Sequence, residues 1–341
     1  MTDYSQSPSF DFGKAILQGF NLPGGNSYLF RVAVWSTLLL TIIYVALGAP
    51  IVRAYVEVFQ NVIAMEHNLD GSEPDPEVML AMMAPMFRAM GIFTLIYLFQ
   101  ITIFASAETA IYRNLIHKED RGIFPLTFGM DELRVLGTRI VVGLILFGLY
   151  LGVYIVATII GAIFFGIAGA ADSGALAAIG GILMFLLILA AIAVFVWGAV
   201  RLAPSSAFSV KNRAFNPMAS WKPMKGLVWP AVGSYLILYL LGYFILGFIS
   251  FFVFMALFFS SGIMGVLVQL DGSSSQIPDF APVWDHVTSA GFIIPLVIAM
   301  FITMFLLMIW YGSIWSLWGY FAKTEWSELQ TPTQDEEAEV W

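Results

Sequence analysis

The sequence predicts an all-α, polytopic membrane fold with six transmembrane helices. Three observations carry that expectation. Of 341 residues, 60% are hydrophobic and only 11% are charged, against roughly 45–50% and about 25% in soluble domains. The apolar residues gather into six continuous runs, each near the ~20 residues that a helix needs to cross hydrocarbon, and their continuity is unlike the alternation of a β-barrel. Thirteen of the fifteen Lys and Arg residues fall in alternate connecting segments, as the positive-inside rule requires of a multi-pass chain.

The elements follow in order. Residues 1–28 form a cytoplasmic N-terminal segment with an interface helix. Within it Met1–Gly25 lacks the apolar core and cleavage site of a secretory leader, so the first run is expected to be an uncleaved span. Residues 29–320 make up the transmembrane domain, with spans at about 29–49, 91–110, 140–168, 175–200, 230–260 and 291–318. Residues 321–341 are an acidic cytoplasmic tail, with Asp335, Glu336, Glu337 and Glu339.

Orientation rests on the basic residues. One set of segments holds Lys14 and Arg31, then Arg113, Lys118, Arg121, Arg134 and Arg139, then Arg201, Lys211, Arg213, Lys222 and Lys225, and finally Lys323. The opposite segments hold only Arg53 and Arg88. The first set is therefore expected at the cytoplasmic face of a bacterial inner membrane, with both termini inside.

The outward segment Pro50–Arg88 is read as two helices extending the spans, joined by the acidic turn Asp70–Glu77. The short segment Ala168–Ala175 forces spans three and four into a hairpin. The segment Gly262–Gly291 carries turn formers. Mixed aromatic, glycine and basic segments precede the odd spans, at Phe10–Lys14, Phe128–Arg134 and Trp221–Gly226, which suggests three hairpin repeats entered through cytoplasmic interface helices.

The exit of span four reads Arg201-Leu202-Ala203-Pro204-Ser205-Ser206-Ala207, and the approach to span five reads Ala219-Ser220-Trp221-Lys222-Pro223-Met224-Lys225-Gly226. This stretch resembles a group of uncharacterised bacterial inner-membrane proteins related to the membrane domain of some glycerophosphoryl diester phosphodiesterases. The resemblance spans residues 195–245, with a fainter echo at 108–150. It implies a six-span bacterial membrane protein. It does not imply phosphodiesterase activity, because the soluble catalytic domain has no counterpart here.

Among residues that carry chemistry, Glu108 comes first, because a carboxylate near hydrocarbon is costly and needs a partner. Arg201, at the matching end of span four, is one candidate. Arg113 is nearer in sequence, but five residues along a helix is poor geometry for a pair. With Gln100, these residues form a candidate buried ion pair or gate, or a structural ion pair. The segment Arg201–Lys225 carries five basic residues and no acid. Its Lys211, Arg213, Trp221, Lys222 and Lys225 are candidate contacts for anionic lipid headgroups, or ordinary positive-inside charge.

The methionines Met79, Met82, Met83, Met86 and Met90 share a helical face, either as soft Cu(I) ligands or as a flexible apolar stripe. The acidic turn lacks EF-hand spacing for Ca²⁺. Gly143, Gly148, Gly152, Gly161 and Gly166 of span three are read as helix-packing positions or a homodimer face.

Catalysis has little to build on. There are no cysteines and three histidines, none within a long apolar run, and the G-x-S-x-G, P-loop and H-E-x-x-H signatures are absent. No enzyme activity, cofactor, metal or nucleic-acid partner is expected. The sequence reads as a non-catalytic scaffold or lipid-associated factor, with membrane lipids, protein partners or a second copy of itself as partners. The alternative is a transporter or channel for lipid or other small cargo.

Overall fold

The computed structural model describes residues 10–68, 76–171, 173–260 and 289–324. The described residues are predominantly helical, with irregular connections at 118–129 and 212–227, and contain no strand. Six of its helices are long and apolar enough to cross a membrane, so the chain is a multi-pass membrane protein.

A short helix α1 (Phe12–Ile16) opens the chain and runs into a tighter turn at Leu17–Phe20. Its first turn is capped by Asp11, whose carboxylate accepts from the Lys14 backbone N–H at 3.0 Å. The spans are α2 (Asn26–Asn68), α3 (Pro76–Tyr112), α4 (Met130–Ala170), α5 (Gly174–Leu202), α7 (Val228–Ser260) and α8 (Ala290–Lys323). The short helix α6 (Ser205–Lys211) lies between α5 and α7.

The helices outrun the apolar runs. With 43 residues, α2 is about 65 Å long, well beyond the ~30 Å of hydrocarbon. The extension beyond Pro50 and the first turns of α3 are thus the paired helices expected between spans one and two. Their joining turn, with Asp70, lies outside the described residues, as do the Gly262–Gly291 segment up to residue 288 and the tail beyond Thr324. The α4–α5 connection is short, and Ser173 caps α5 by accepting from the Leu176 N–H.

The helices do not pack evenly along their length. The fully buried side chains concentrate at one end: Tyr28, Leu29 and Val32 of α2, Ile111 and Tyr112 of α3, Leu115 beyond it, Val135 of α4, and Leu317 and Phe321 of α8. Along the far halves, large apolar side chains such as Phe147, Tyr154, Phe185, Phe244 and Phe252 are exposed. Outward-facing apolar residues are the expected coat of helices solvated by lipid. The packed end is also where the basic residues gather, the basic end of the bundle.

The segments before the odd spans differ from one another. A helix, α1, precedes α2. Before α4 the chain is irregular, and Met130–Arg134 is instead the first turn of α4 itself. Trp221–Gly226 lies in turns that lead into α7. Local capping explains the second case: Glu132 reaches back to the Gly129 N–H at 2.9 Å, which starts the helix there.

Candidate functional site

The basic end holds two ion pairs, one built on a buried carboxylate with a partly exposed arginine and one fully enclosed. The first joins α3, α4 and α6. Glu108, 3% exposed, is one turn before Tyr112, so both side chains share a face of α3. Tyr112 donates its hydroxyl to Glu108 Oε1 at 2.8 Å, and Ser206 donates to the same oxygen at 2.6 Å. The partner cation is Arg139. Its Nη2 reaches Glu108 Oε1 at 2.8 Å and its Nε reaches Oε2 at 3.0 Å. This side-on arrangement satisfies a buried carboxylate with charge-assisted bonds.

The second pair is Arg113 and Glu132, at 2.6 Å, with side-chain exposures of 3% and 0%. Arg113 belongs to a π-helical turn, Arg113–His117, that ends α3 and closes on Lys118 in the left-handed region. Thr127 lies between the partners. It accepts from Arg113 Nη2 and donates to Glu132 Oε1, each at 2.8 Å. The Thr127 backbone is pinned in turn by Ser106, which donates to its carbonyl at 2.6 Å.

Arg201 is not the partner of Glu108. Its guanidinium lies over the rings of Trp221, at 4.1 Å, and Trp197, at 5.0 Å, and its Nε donates to the Trp221 carbonyl at 2.8 Å. The Pro204 turn after α5 carries the chain into α6, which brings Ser206 rather than Arg201 to the carboxylate. Gln100 is two turns from Glu108 along α3 and accepts from the Tyr44 hydroxyl of α2 at 3.1 Å. Glu108, Arg201 and Gln100 therefore occupy three separate environments, and Arg113 serves a different carboxylate.

The basic segment is divided as well. Lys222 and Lys225 are exposed, and Lys211 is half-buried. Arg213 reaches Glu119 at 3.4 Å while remaining largely exposed. Trp221 is half-buried beneath Arg201 rather than standing out as an anchor. Exposed Phe215, Met218 and Trp229 provide the apolar contacts of this surface instead.

The residues that sequence reasoning missed are Arg139, Tyr112 and the serines of α6. Ser205 pairs with Ser220 at 2.6 Å, and Ser209 pairs with Thr138 of α4 at 3.1 Å. The spacing Ser205, Ser206, Ser209 was visible as one face of a short helix. What faced it was not.

Outside the spans, Asp120 is held below the ordinary carboxylate value, first by its hydrogen bond from Arg31 and then by the Gly122 backbone N–H, against some desolvation. Arg31 also donates to the Gly122 carbonyl, and Trp35 donates to the Ile123 carbonyl at 2.7 Å. The loop after α3 is thus clamped onto α2.

A cavity of about 240 Å³ opens where α3, α4 and α8 meet, beside the first ion pair. Its walls are Ile101 and Phe104 of α3, Leu136 of α4, and Tyr311 and Trp315 of α8, with Glu108 and Arg139 at its polar edge.

Elsewhere, Met83 and Met90 are exposed and Met86 is half-buried, while the side chains of Met79, Met82 and His67 lie outside the described set. Among the described residues no cluster of three or more His, Cys, Asp or Glu is placed to hold a metal. A Cβ on Gly143, Gly148, Gly152 or Gly166 would meet nothing within 4 Å, and only Gly161 of that series has a close neighbour, Met184. An added Cβ would instead collide at Gly242 with Trp310, at Gly312 with Leu29 and at Gly319 with Leu115. Comparison of the chain with family models, with curated proteins and with solved structures finds no match.

Proposed function

We propose that this is a non-catalytic, lipid-associated protein of the bacterial inner membrane, with both termini cytoplasmic, acting through its basic end on anionic lipid headgroups. The observation that carries the reading is the exposure of Arg213, Lys222 and Lys225 beside exposed Phe215, Met218 and Trp229 at one end of a bundle whose spans present apolar side chains outward. Each basic residue near an anionic leaflet contributes about 1 kcal/mol of attraction, and aromatic rings favour the same depth. The resemblance of the Arg201–Gly226 stretch to bacterial inner-membrane proteins supports the location.

Native mass spectrometry of the protein with bound lipid tests the reading. Phosphatidylglycerol is expected to be retained over phosphatidylethanolamine, and the double variant Lys222→Gln/Lys225→Gln is expected to reduce that preference. Equal retention of the two lipids by the unaltered protein, counted over the lipids bound after the first, overturns it. Reporter fusions test the orientation: residues 120 and 212 are expected to report cytoplasm, and residues 72, 172 and 275 the opposite side. A cytoplasmic signal at 172 would refute it.

A second reading, a transporter or channel for lipid or other small cargo, is favoured by the opening between α3, α4 and α8 beside Glu108. It predicts that Glu108→Gln abolishes a transport or conductance signal while folded protein persists. An unchanged signal in that variant rejects a gating role for Glu108.

A further inference from the structure

We propose that the cavity between α3, α4 and α8 is a binding site for one glycerophospholipid, with the phosphodiester on Arg139 and an acyl chain along Ile101, Phe104 and Leu136. The inference rests on the lipid-associated reading above, but it names a different site, with different selectivity from the basic surface.

The donors at the polar edge define the ligand. Arg139 spends Nε and Nη2 on Glu108, but its side chain is 42% exposed although it belongs to a span. Its Nη1 makes no hydrogen bond among the described residues. Two more donor-bearing residues, Tyr311 and Trp315, line the same cavity, and neither the Tyr311 hydroxyl nor the Trp315 indole N–H makes a hydrogen bond among the described residues. Among the described side chains lining the cavity, the Tyr311 hydroxyl can donate or accept, and the one carboxylate is Glu108. Its Oε1 is already engaged by Tyr112, Ser206 and Arg139, and its Oε2 by Arg139. A cavity rich in unspent donors and poor in free acceptors takes a ligand that brings acceptors, as a phosphodiester does.

Charge narrows the class. Glu108 neutralises Arg139, so the pair attracts no dianion from solution, while its remaining N–H groups still favour a phosphodiester oxygen over an unphosphorylated headgroup. Because the pair is neutral overall, a second charge on the headgroup matters little here. The basic surface, by contrast, selects for net negative charge. The remaining walls are apolar or aromatic, which suits an acyl chain and gives a free phosphate ester nothing to bury. Arg139 lies nine residues inside α4, about 13 Å along the helix from its first residue. That depth from the basic end suits a headgroup whose chain continues toward the bilayer centre.

The test is native mass spectrometry of the full chain in detergent, titrated with phosphatidylglycerol, phosphatidylethanolamine, diacylglycerol of the same chains, and glycerol 3-phosphate. The unaltered protein is expected to take one first phospholipid with similar affinity for both headgroups. Diacylglycerol is expected to bind at least ~10-fold more weakly, the worth of one charge-assisted hydrogen bond, and glycerol 3-phosphate not to bind. Ile101→Trp and Leu136→Trp fill the cavity without touching the ion pair, and each is expected to remove this first adduct. Arg139→Lys keeps the charge and loses the outer donors, and is expected to weaken both phospholipids about tenfold. Diacylglycerol binding as well as phospholipid, glycerol 3-phosphate binding as tightly, or a first adduct unaffected by either tryptophan overturns the site. The wild-type comparison alone decides should a variant fail to fold. Loss of the phosphatidylglycerol preference among later-bound lipids, with the first adduct intact, would reject the basic-surface reading and leave this one standing.

Discussion

Glu108 of α3 and Arg139 of α4 meet side-on, Nε and Nη2 against the two carboxylate oxygens at 3.0 and 2.8 Å. The pair joins two helices at the packed, basic end of the bundle. Removing Glu108 strands the Arg139 guanidinium and leaves the Tyr112 and Ser206 hydroxyls, which both donate to the carboxylate, without that acceptor. Glu108→Ala is expected to destabilise the protein by about 2–3 kcal/mol, less than the ~3–5 kcal/mol of a fully enclosed pair because Arg139 is partly exposed. The double variant Glu108→Gln/Arg139→Gln should cost less than the sum of its single variants. Reversible unfolding in detergent, read as a double-mutant cycle, checks this; strict additivity would mean that the pair is not coupled.

Glu132 is enclosed more completely, with Arg113, Thr127 and the Gly129 N–H all donating around it. Glu132→Ala is expected to cost about 3–5 kcal/mol, because it strands the Arg113 charge. Thr127→Val should cost ~1–3 kcal/mol by leaving two polar groups short of a partner. The same unfolding measurement ranks them, and a larger loss for Thr127→Val would contradict this account.

Glycine substitutions distinguish close approach from open groove. A Cβ at Gly242 would collide with the Trp310 ring, which donates to the Leu238 carbonyl at 3.0 Å. Gly242→Ala is therefore expected to destabilise by about 1–3 kcal/mol. Gly148→Ala meets open space and should be neutral or stabilising by up to ~1 kcal/mol, since alanine is the better helix former. Thermal melts of the two variants give the comparison, and equal shifts would place α4 packing at the GxxxG face after all.

The Arg31–Asp120 contact gives a pH dependence. Asp120 titrates below its ordinary value of 3.8 in the folded protein. Its contribution is therefore present above that value and lost as pH falls through the lower folded value. The pair is 30% and 40% exposed, so the contribution is a surface one, about 0.2–1 kcal/mol. Asp120→Asn should lower the melting temperature slightly at pH 7, and by less as the pH falls below 3.8. A difference that grows on acidification would reverse the sign.

Arg201 is held by two rings rather than by a carboxylate. Arg201→Lys keeps the charge but loses the planar stacking and the Nε donor to Trp221, and is expected to cost ~1–2 kcal/mol. Quenched or shifted tryptophan fluorescence on substitution would report the altered ring contacts, and an unchanged spectrum with unchanged stability would count against them.

The amino-acid sequence by itself determined that this chain is six helices in lipid, because apolar length and the scarcity of charge are properties of each segment alone. It also placed Glu108 as a carboxylate in need of a partner, since the cost of burying charge does not depend on topology. Partner choice is different. Arg113, Arg139 and Arg201 all sit near span ends, and nothing local separates them. The α6 helix after Pro204 moves the chain beyond Arg201 and presents Ser206, while the π-turn after α3 directs Arg113 toward Glu132, so the carboxylate at 108 is left to Arg139. The glycine motif shows the same limit: Gly148 and Gly152 have the spacing for close packing, but a Cβ there meets open space, and the close approach is at Gly242 against Trp310 instead. Pairings between segments distant in sequence are decided by the assembled bundle, because only there do desolvation and geometry select one cation among several.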